Sequence, residues 1–269
     1  MKRLLFFLFL ICLGTGCVSK NIPVVAHRGY SSAAPENTMA AYRCAWKNNI
    51  SYVELDVYEL KDGNIVCVHD SDLSRVSPGA SGKKVTAMTL PEIRKYDVGK
   101  WKGKQFTGEK VPLLEDVLKE MPRNAKIFLE LKSVKNDFPF RFEKLRREYG
   151  ISKDRITVIS FNSAMLKNFN QKVPGFKTNL LIRVYNRKSK IQISAEEMMK
   201  RLKQCGATGV GASVSPAIDA GYIKKVKNAG FEFHVWTIDD PETAFRLKKA
   251  GVDSITTNEP EKIRSAISN

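Results

Sequence analysis

At 269 residues, with 43% hydrophobic and 27% charged side chains, the chain holds enough apolar material for one large folded domain and is not composed like a disordered one. Its formal charge of +17, from 45 basic and 28 acidic residues, is spread through stretches such as Arg141–Arg147 and Lys224–Lys227. No RNA- or DNA-binding motif accompanies that charge, so it reads as a diffuse solvated surface with a secondary attraction for anionic substrates and lipid headgroups.

The chain begins with the basic Met1-Lys2-Arg3, then an apolar run, Leu4–Leu13, too short to span a bilayer. Small residues Gly14, Thr15 and Gly16 follow, then Cys17. This is the layout of a signal peptide over 1–16, and a cysteine after small residues resembles a bacterial lipoprotein processing site. That pattern usually has Leu three places before the cysteine, where this chain has Gly14 and Leu13 stands one place off. The expectation is an exported protein with residues 17–269 as the mature domain. Lipidation of Cys17 would anchor it to a membrane; plain cleavage nearby is the alternative. Cys44, Cys67 and Cys205 are odd in number and form no CxxC, so they read as buried free thiols.

Downstream, β-branched apolar runs alternate with helical patterns. The predicted strands are Val24–Ala26, Tyr52–Val57, Ile127–Leu131, Thr157–Ser160, Asn179–Arg183, Gly209–Ala212, Glu232–Trp236 and Ser254–Thr256. Helices are predicted near Thr38–Lys47, Leu113–Lys119, Phe138–Glu148, Ser163–Asn170, Ala195–Gln204, Pro216–Lys227, Pro241–Lys249 and Glu261–Ile267. Ser194 and Asp240-Pro241 are start signals, and Gly206, Gly230 and Gly251 stand where a helix end wants a left-handed residue. Eight of each is the count of a TIM (β/α)8 barrel, which typically needs about 250 residues. A doubly wound open sheet is the competitor, but no G-x-G-x-x-G follows the first strand. Residues 71–112 are too long for an ordinary loop and predict a small insertion after the second strand.

In such a barrel, chemistry collects at the C-terminal strand ends. There the chain places His27-Arg28-Gly29, Glu54-Leu55-Asp56, His69-Asp70, Glu130-Leu131-Lys132 and Trp236-Thr237. Alternation puts Glu54 with Asp56, and Glu130 with Lys132, on one face. Three carboxylates inside a barrel mouth are costly unless a cation neutralises them, and hard oxygen ligands suit Mg²⁺ or Ca²⁺. With two imidazoles and the cations Arg28 and Lys132, the set matches the needs of phosphodiester cleavage. His234 shares the inward register of Trp236 and reads as an interior histidine held by hydrogen bonds.

At this point the chain resembles the glycerophosphodiester phosphodiesterase family. The blocks carrying the resemblance are His27-Arg28-Gly29, Pro35-Glu36-Asn37-Thr38, Glu54-x-Asp56, His69-Asp70, Glu130-x-Lys132, Trp236-Thr237 and Thr256-Thr257-Asn258-Glu259-Pro260. Leu73-x-Arg75 and Thr89-Leu90-x-Glu92-Ile93 look like the family's insertion. The resemblance implies a divalent cation, Mg²⁺ or Ca²⁺, on Glu54, Asp56 and Glu130. It implies His27 and His69 as the acid–base pair, phosphate binding by Arg28 and Lys132, and Trp236 as a wall of the glycerol pocket. The implied reaction is hydrolysis of a glycerophosphodiester to an alcohol and sn-glycerol 3-phosphate, without nucleic acid as a partner. Glu36 and Asn37 carry two readings, direct ligand contact, or capping of the helix near Thr38 and pinning of the first loop. Two rivals share the barrel: phospholipase D-like cleavage of lysophospholipids, and a binding lipoprotein without turnover.

Overall fold

The computed structural model describes residues 21–80, 82–186, 191–216 and 218–268. The signal peptide 1–16 and the lipidation site Cys17 therefore lie outside the described residues. Eight parallel strands make the central sheet: β1 (Val24–Ala26), β2 (Tyr52–Glu59), β3 (Lys126–Ser133), β4 (Ile156–Ser160), β5 (Lys177–Ile182), β6 (Gly209–Ser213), β7 (Glu232–Trp236) and β8 (Ser254–Thr257). Each pairs with the next, and β8 returns to β1 through Val24 opposite Ile255. The sheet is thus closed, a TIM barrel, and the open-sheet competitor is excluded.

Strand alternation sorts the side chains into two shells. Outward-facing Val53, Leu55, Ile127, Leu129, Val158, Leu180, Val210, Phe233 and Ile255 are buried under the helices in one continuous core. Burying each such side chain contributes about 1.5–3 kcal/mol, so this shell dominates stability. Inside the barrel only a thin apolar layer remains, made of Val25, Phe128, Ile159 and Leu181. The polar residues above that layer are the candidate site.

Eight helices cover the barrel among the described residues: α1 (Met39–Lys47), α2 (Leu114–Glu120), α3 (Phe138–Glu148), α4 (Ser163–Lys172), α5 (Ala195–Cys205), α6 (Ala220–Asn228), α7 (Pro241–Ala250) and α8 (Pro260–Ile267). Five begin on side-chain caps, from Thr38, Asn162, Ser194, Asp219 and Asp240 to an amide three residues on. The sequence-based start of α6 at Pro216 is four residues early, because the Asp219 carboxylate and not the proline opens the helix. Cys67 and Cys205 are buried and Cys44 half-buried, all as free thiols. No helix among the described residues is long and apolar enough to cross a membrane.

Two features were not legible in the sequence. A short antiparallel strand, Ile65–Cys67, pairs with the end of β2, and a small hairpin pairs Tyr185–Asn186 with Ile191–Gln192. Ile65–Cys67 leads into the lobe that follows β2, which has a core of its own in Leu60, Val66, Leu73, Val85, Met88 and Ile93. Thr89 and Glu92 close a capping box at the short helix Leu90–Ile93 that supplies part of that core. The lobe touches the first barrel loop through Lys102 Nζ, which donates to the Ser31 carbonyl at 2.7 Å.

Candidate active site

The register of β2 and β3 sets the centre of the site. Asp56 stands directly opposite Glu130, with Glu54 two residues earlier on the same inward face. Carboxylate oxygens of Glu54, Asp56 and Glu130 all lie within 4.8 Å of one another. Lys132 Nζ sits 3.0 Å from Asp56 Oδ1 and 2.6 Å from Glu130 Oε1. Burial raises the Asp56 carboxyl, but Lys132 and Arg28 outweigh it and hold it at about 2. Glu130 is pushed up to about 7, first by burial and then by Asp56. Glu54 is raised well above the carboxylate range by burial, then by Asp56 and Glu130. Glu54 Oε1 is buried without a hydrogen bond. An all-oxygen set with excess negative charge and an unsatisfied acceptor fits a hard divalent cation.

The first barrel loop is folded around this cluster. Arg28 and Asn37 both have left-handed backbones, with φ of 58° and 53°. The Arg28 amide donates to Glu54 Oε2 at 2.8 Å, and its side chain reaches Glu36 at 2.8 Å and Asp56 at 3.4 Å. Asn37 Nδ2 donates to Asp56 Oδ2 at 2.7 Å while Asn37 Oδ1 accepts from the Asp56 amide and the Tyr42 hydroxyl. Glu36 and Asn37 thus orient Arg28 and Asp56; the helix cap is Thr38. Gly29 turns the chain at φ 78°, and a Cβ there would lie 2.7 Å from the Ala41 backbone and Cβ. Gly29→Ala should therefore cost about 2 kcal/mol or more and lower Tm by roughly 4–8 °C in a thermal melt; an unchanged Tm would show that the loop adapts.

Each histidine has its tautomer set by a partner. His27 Nδ1 lies 2.8 Å from Asn258 Oδ1. The Asn258 Nδ2 donates to Asp239 Oδ2 at 2.7 Å, which turns its carbonyl toward the imidazole. His27 Nδ1 therefore carries the proton and donates, and Nε2 keeps its lone pair. Burial, then the Arg28 charge, lowers the His27 pKa to about 4. His69 Nδ1 lies 2.7 Å from Asp70 Oδ1, and Arg75 Nε donates to Asp70 Oδ2 at 2.6 Å. Arg75 also clasps both oxygens of Glu36, tying the lobe to the Arg28 loop. Burial lowers the His69 pKa as well, against the pull of Asp56 and Asp70.

One cavity of about 200 Å³ gathers His27, Arg28, Glu54, His69, Glu130, Lys132 and Trp236. The sequence-predicted residues are thus brought together, with Asp56 beneath them fully buried. Trp236 packs close to β6 where the strand is bare at Gly211: its Nε1 donates to the Gly211 carbonyl at 2.8 Å. A Cβ on Gly211 would come within 2.5 Å of Leu181 and 3.5 Å of the indole. His234 is in the barrel interior, its Nδ1 2.7 Å from Ser254 Oγ and its Nε2 3.3 Å from Glu232.

Sequence reasoning gave no role to Asp239, Asn258 or Arg75, each of which acts through another residue. It also passed over Phe161 and Arg183 on the cavity's far wall. For Arg183 a signal existed, since it continues the inward period of Asn179 and Leu181 past the end of β5.

The model of the glycerophosphoryl diester phosphodiesterase family matches residues 27–262. The chain belongs to that family. It is 32% identical over 244 residues to a glycerophosphodiester phosphodiesterase of Caldanaerobacter subterraneus subsp. tengcongensis, covering 89% of this chain and 95% of the relative. A Bacillus subtilis glycerophosphodiester phosphodiesterase is 30% identical over 256 residues, with coverages of 89% and 84%. Among solved structures, an Oleispira antarctica phosphodiesterase in complex with the product sn-glycerol-3-phosphate superposes with a TM-score of 0.81 at 26% identity. That match covers 92% of this chain and 97% of the other.

Proposed function

We propose that this phosphodiesterase hydrolyses water-soluble glycerophosphodiesters to an alcohol and sn-glycerol 3-phosphate. The observation carrying the reading is one cavity that joins a three-carboxylate cluster, two imidazoles with free Nε2 atoms and two cations. A divalent cation, Mg²⁺ or Ca²⁺, held by Glu54, Asp56 and Glu130 would supply Lewis-acid stabilisation of charge on the phosphoryl oxygens. Arg28 and Lys132 orient the phosphate and share that stabilisation. Trp236 forms a wall for the glycerol moiety.

His27, neutral and with Nδ1 held by a neutral amide, takes the proton from the glycerol hydroxyl that attacks phosphorus. His69, beside the Asp70 carboxylate that favours its charged form, returns a proton to the departing alcohol. The cyclic phosphate then opens by water with the two roles exchanged.

The glycerophosphodiester phosphodiesterase relatives and the solved neighbour with bound sn-glycerol-3-phosphate favour a deacylated substrate. Glycerol 3-phosphate release from glycerophosphoglycerol should therefore far exceed cleavage of lysophosphatidylglycerol at equal concentration. Preference for the acylated compound would replace this reading with the lysophospholipase D one. The leader over residues 1–16 and Cys17 support export and a lipid anchor at Cys17; partition of the Cys17→Ala protein into the membrane fraction would remove the anchor.

A further inference from the structure

The cations of the site fall into two groups. Arg28 is paired with Glu36 and Asp56, and Lys132 with Asp56 and Glu130. Arg183, on the opposite wall of the same cavity, has no carboxylate or hydrogen-bond partner among the described residues. Its guanidinium lies 5.6 Å from the ring centroids of both Phe161 and Trp236. Those two rings meet edge to face at 5.4 Å, and Phe161 is 44% exposed at the rim.

Two aromatic walls at right angles are the beginning of a cage for a quaternary ammonium. Here a cation already lies against both of them. A choline or ethanolamine headgroup arriving there meets like charge, whereas an anionic oxygen meets a preorganised planar donor that it does not have to win from a carboxylate. Cation–π contact with both rings holds the guanidinium without neutralising it.

We infer that Arg183, held by Phe161 and Trp236, is a specificity-determining residue that selects glycerophosphodiesters whose alcohol moiety bears an anionic group, a carboxylate or a second phosphate. This rests on the glycerophosphodiesterase reading and names the headgroup side of it. The metal-side cations bind the scissile phosphate, common to all substrates, so among the described residues of the cavity discrimination falls to Arg183.

Glycerophosphoserine and glycerophosphoethanolamine differ by a single carboxylate and make the test. The full-length enzyme should show kcat/KM about tenfold higher for the serine compound, the scale of one charge-assisted hydrogen bond at a partly exposed site. Arg183→Met should bring the ratio close to one, and Arg183→Lys should restore part of it, because charge returns without the planar fork. A wild-type ratio near one, or a ratio that Arg183→Met does not move, overturns the inference while leaving the phosphodiesterase reading intact. Absence of turnover for both compounds and for glycerophosphoglycerol removes that reading and the inference together.

Discussion

In a single turnover, His69→Ala should release the alcohol of glycerophosphoglycerol about 10²–10⁴-fold more slowly than wild type, yet release p-nitrophenolate from the matching glycerophosphodiester at close to the wild-type rate. The reason is the partner of each imidazole. His69 is bonded to Asp70, which Arg75 in turn holds, and a carboxylate partner suits a proton donor. A phenolate leaves without that proton, so the defect disappears with such a substrate. His27 faces the neutral Asn258 carbonyl, and its low pKa keeps Nε2 ready to accept a proton. His27→Ala should therefore be equally impaired with both leaving groups. If the rescued variant is His27→Ala, the acid and base are exchanged; if neither is rescued, leaving-group protonation is not limiting. Neither ring belongs to the main apolar core, so both variants should melt close to wild type.

Removing the metal should abolish turnover, and restoring Mg²⁺ or Ca²⁺ should recover it, with a second readout that needs no substrate. A ligand at 100-fold above its Kd stabilises a folded protein by about 2.7 kcal/mol, here a rise of roughly 5–10 °C in Tm. Glu54→Gln should lose that rise. Its metal-free Tm should stay close to that of wild type, because burial, Asp56 and Glu130 already favour the uncharged form of Glu54, which Gln matches in size. The pH dependence follows from Glu130, raised to about 7 without metal. Cation binding must displace its proton, so apparent affinity should fall as pH is lowered from about 8 to about 6. Calorimetry in two buffers of different ionisation enthalpy should record proton release near neutrality. A metal response that survives in Glu54→Gln, or no proton release, would place the cation elsewhere.

The legibility of this molecule in its sequence varied with the range of the interaction involved. Strand alternation placed Glu54 with Asp56 and Glu130 with Lys132 on common faces, and both pairs are inward in the fold. Local cap chemistry found Ser194 and Asp240 at helix starts. It failed at Asp219, where a proline three residues earlier imitated the signal. Glu36 and Asn37 left two readings open because a capping residue and a residue bonded across a loop look alike in one dimension. The structure assigns both to the clasp around Arg28 and Asp56.

By itself, then, the sequence determined the alternation of strands and helices, the faces on which polar groups fall, and the family blocks. All of these depend on neighbours within a few residues or on motifs read in order. Only the tertiary structure decided that β8 closes on β1, that Asn258 and Asp239 set the His27 tautomer, and that Arg75 joins the lobe to the first loop. It alone put Arg183 against Phe161 and Trp236. These contacts link residues tens to hundreds of positions apart, and they follow from barrel closure and packing, which carry no local period in the chain.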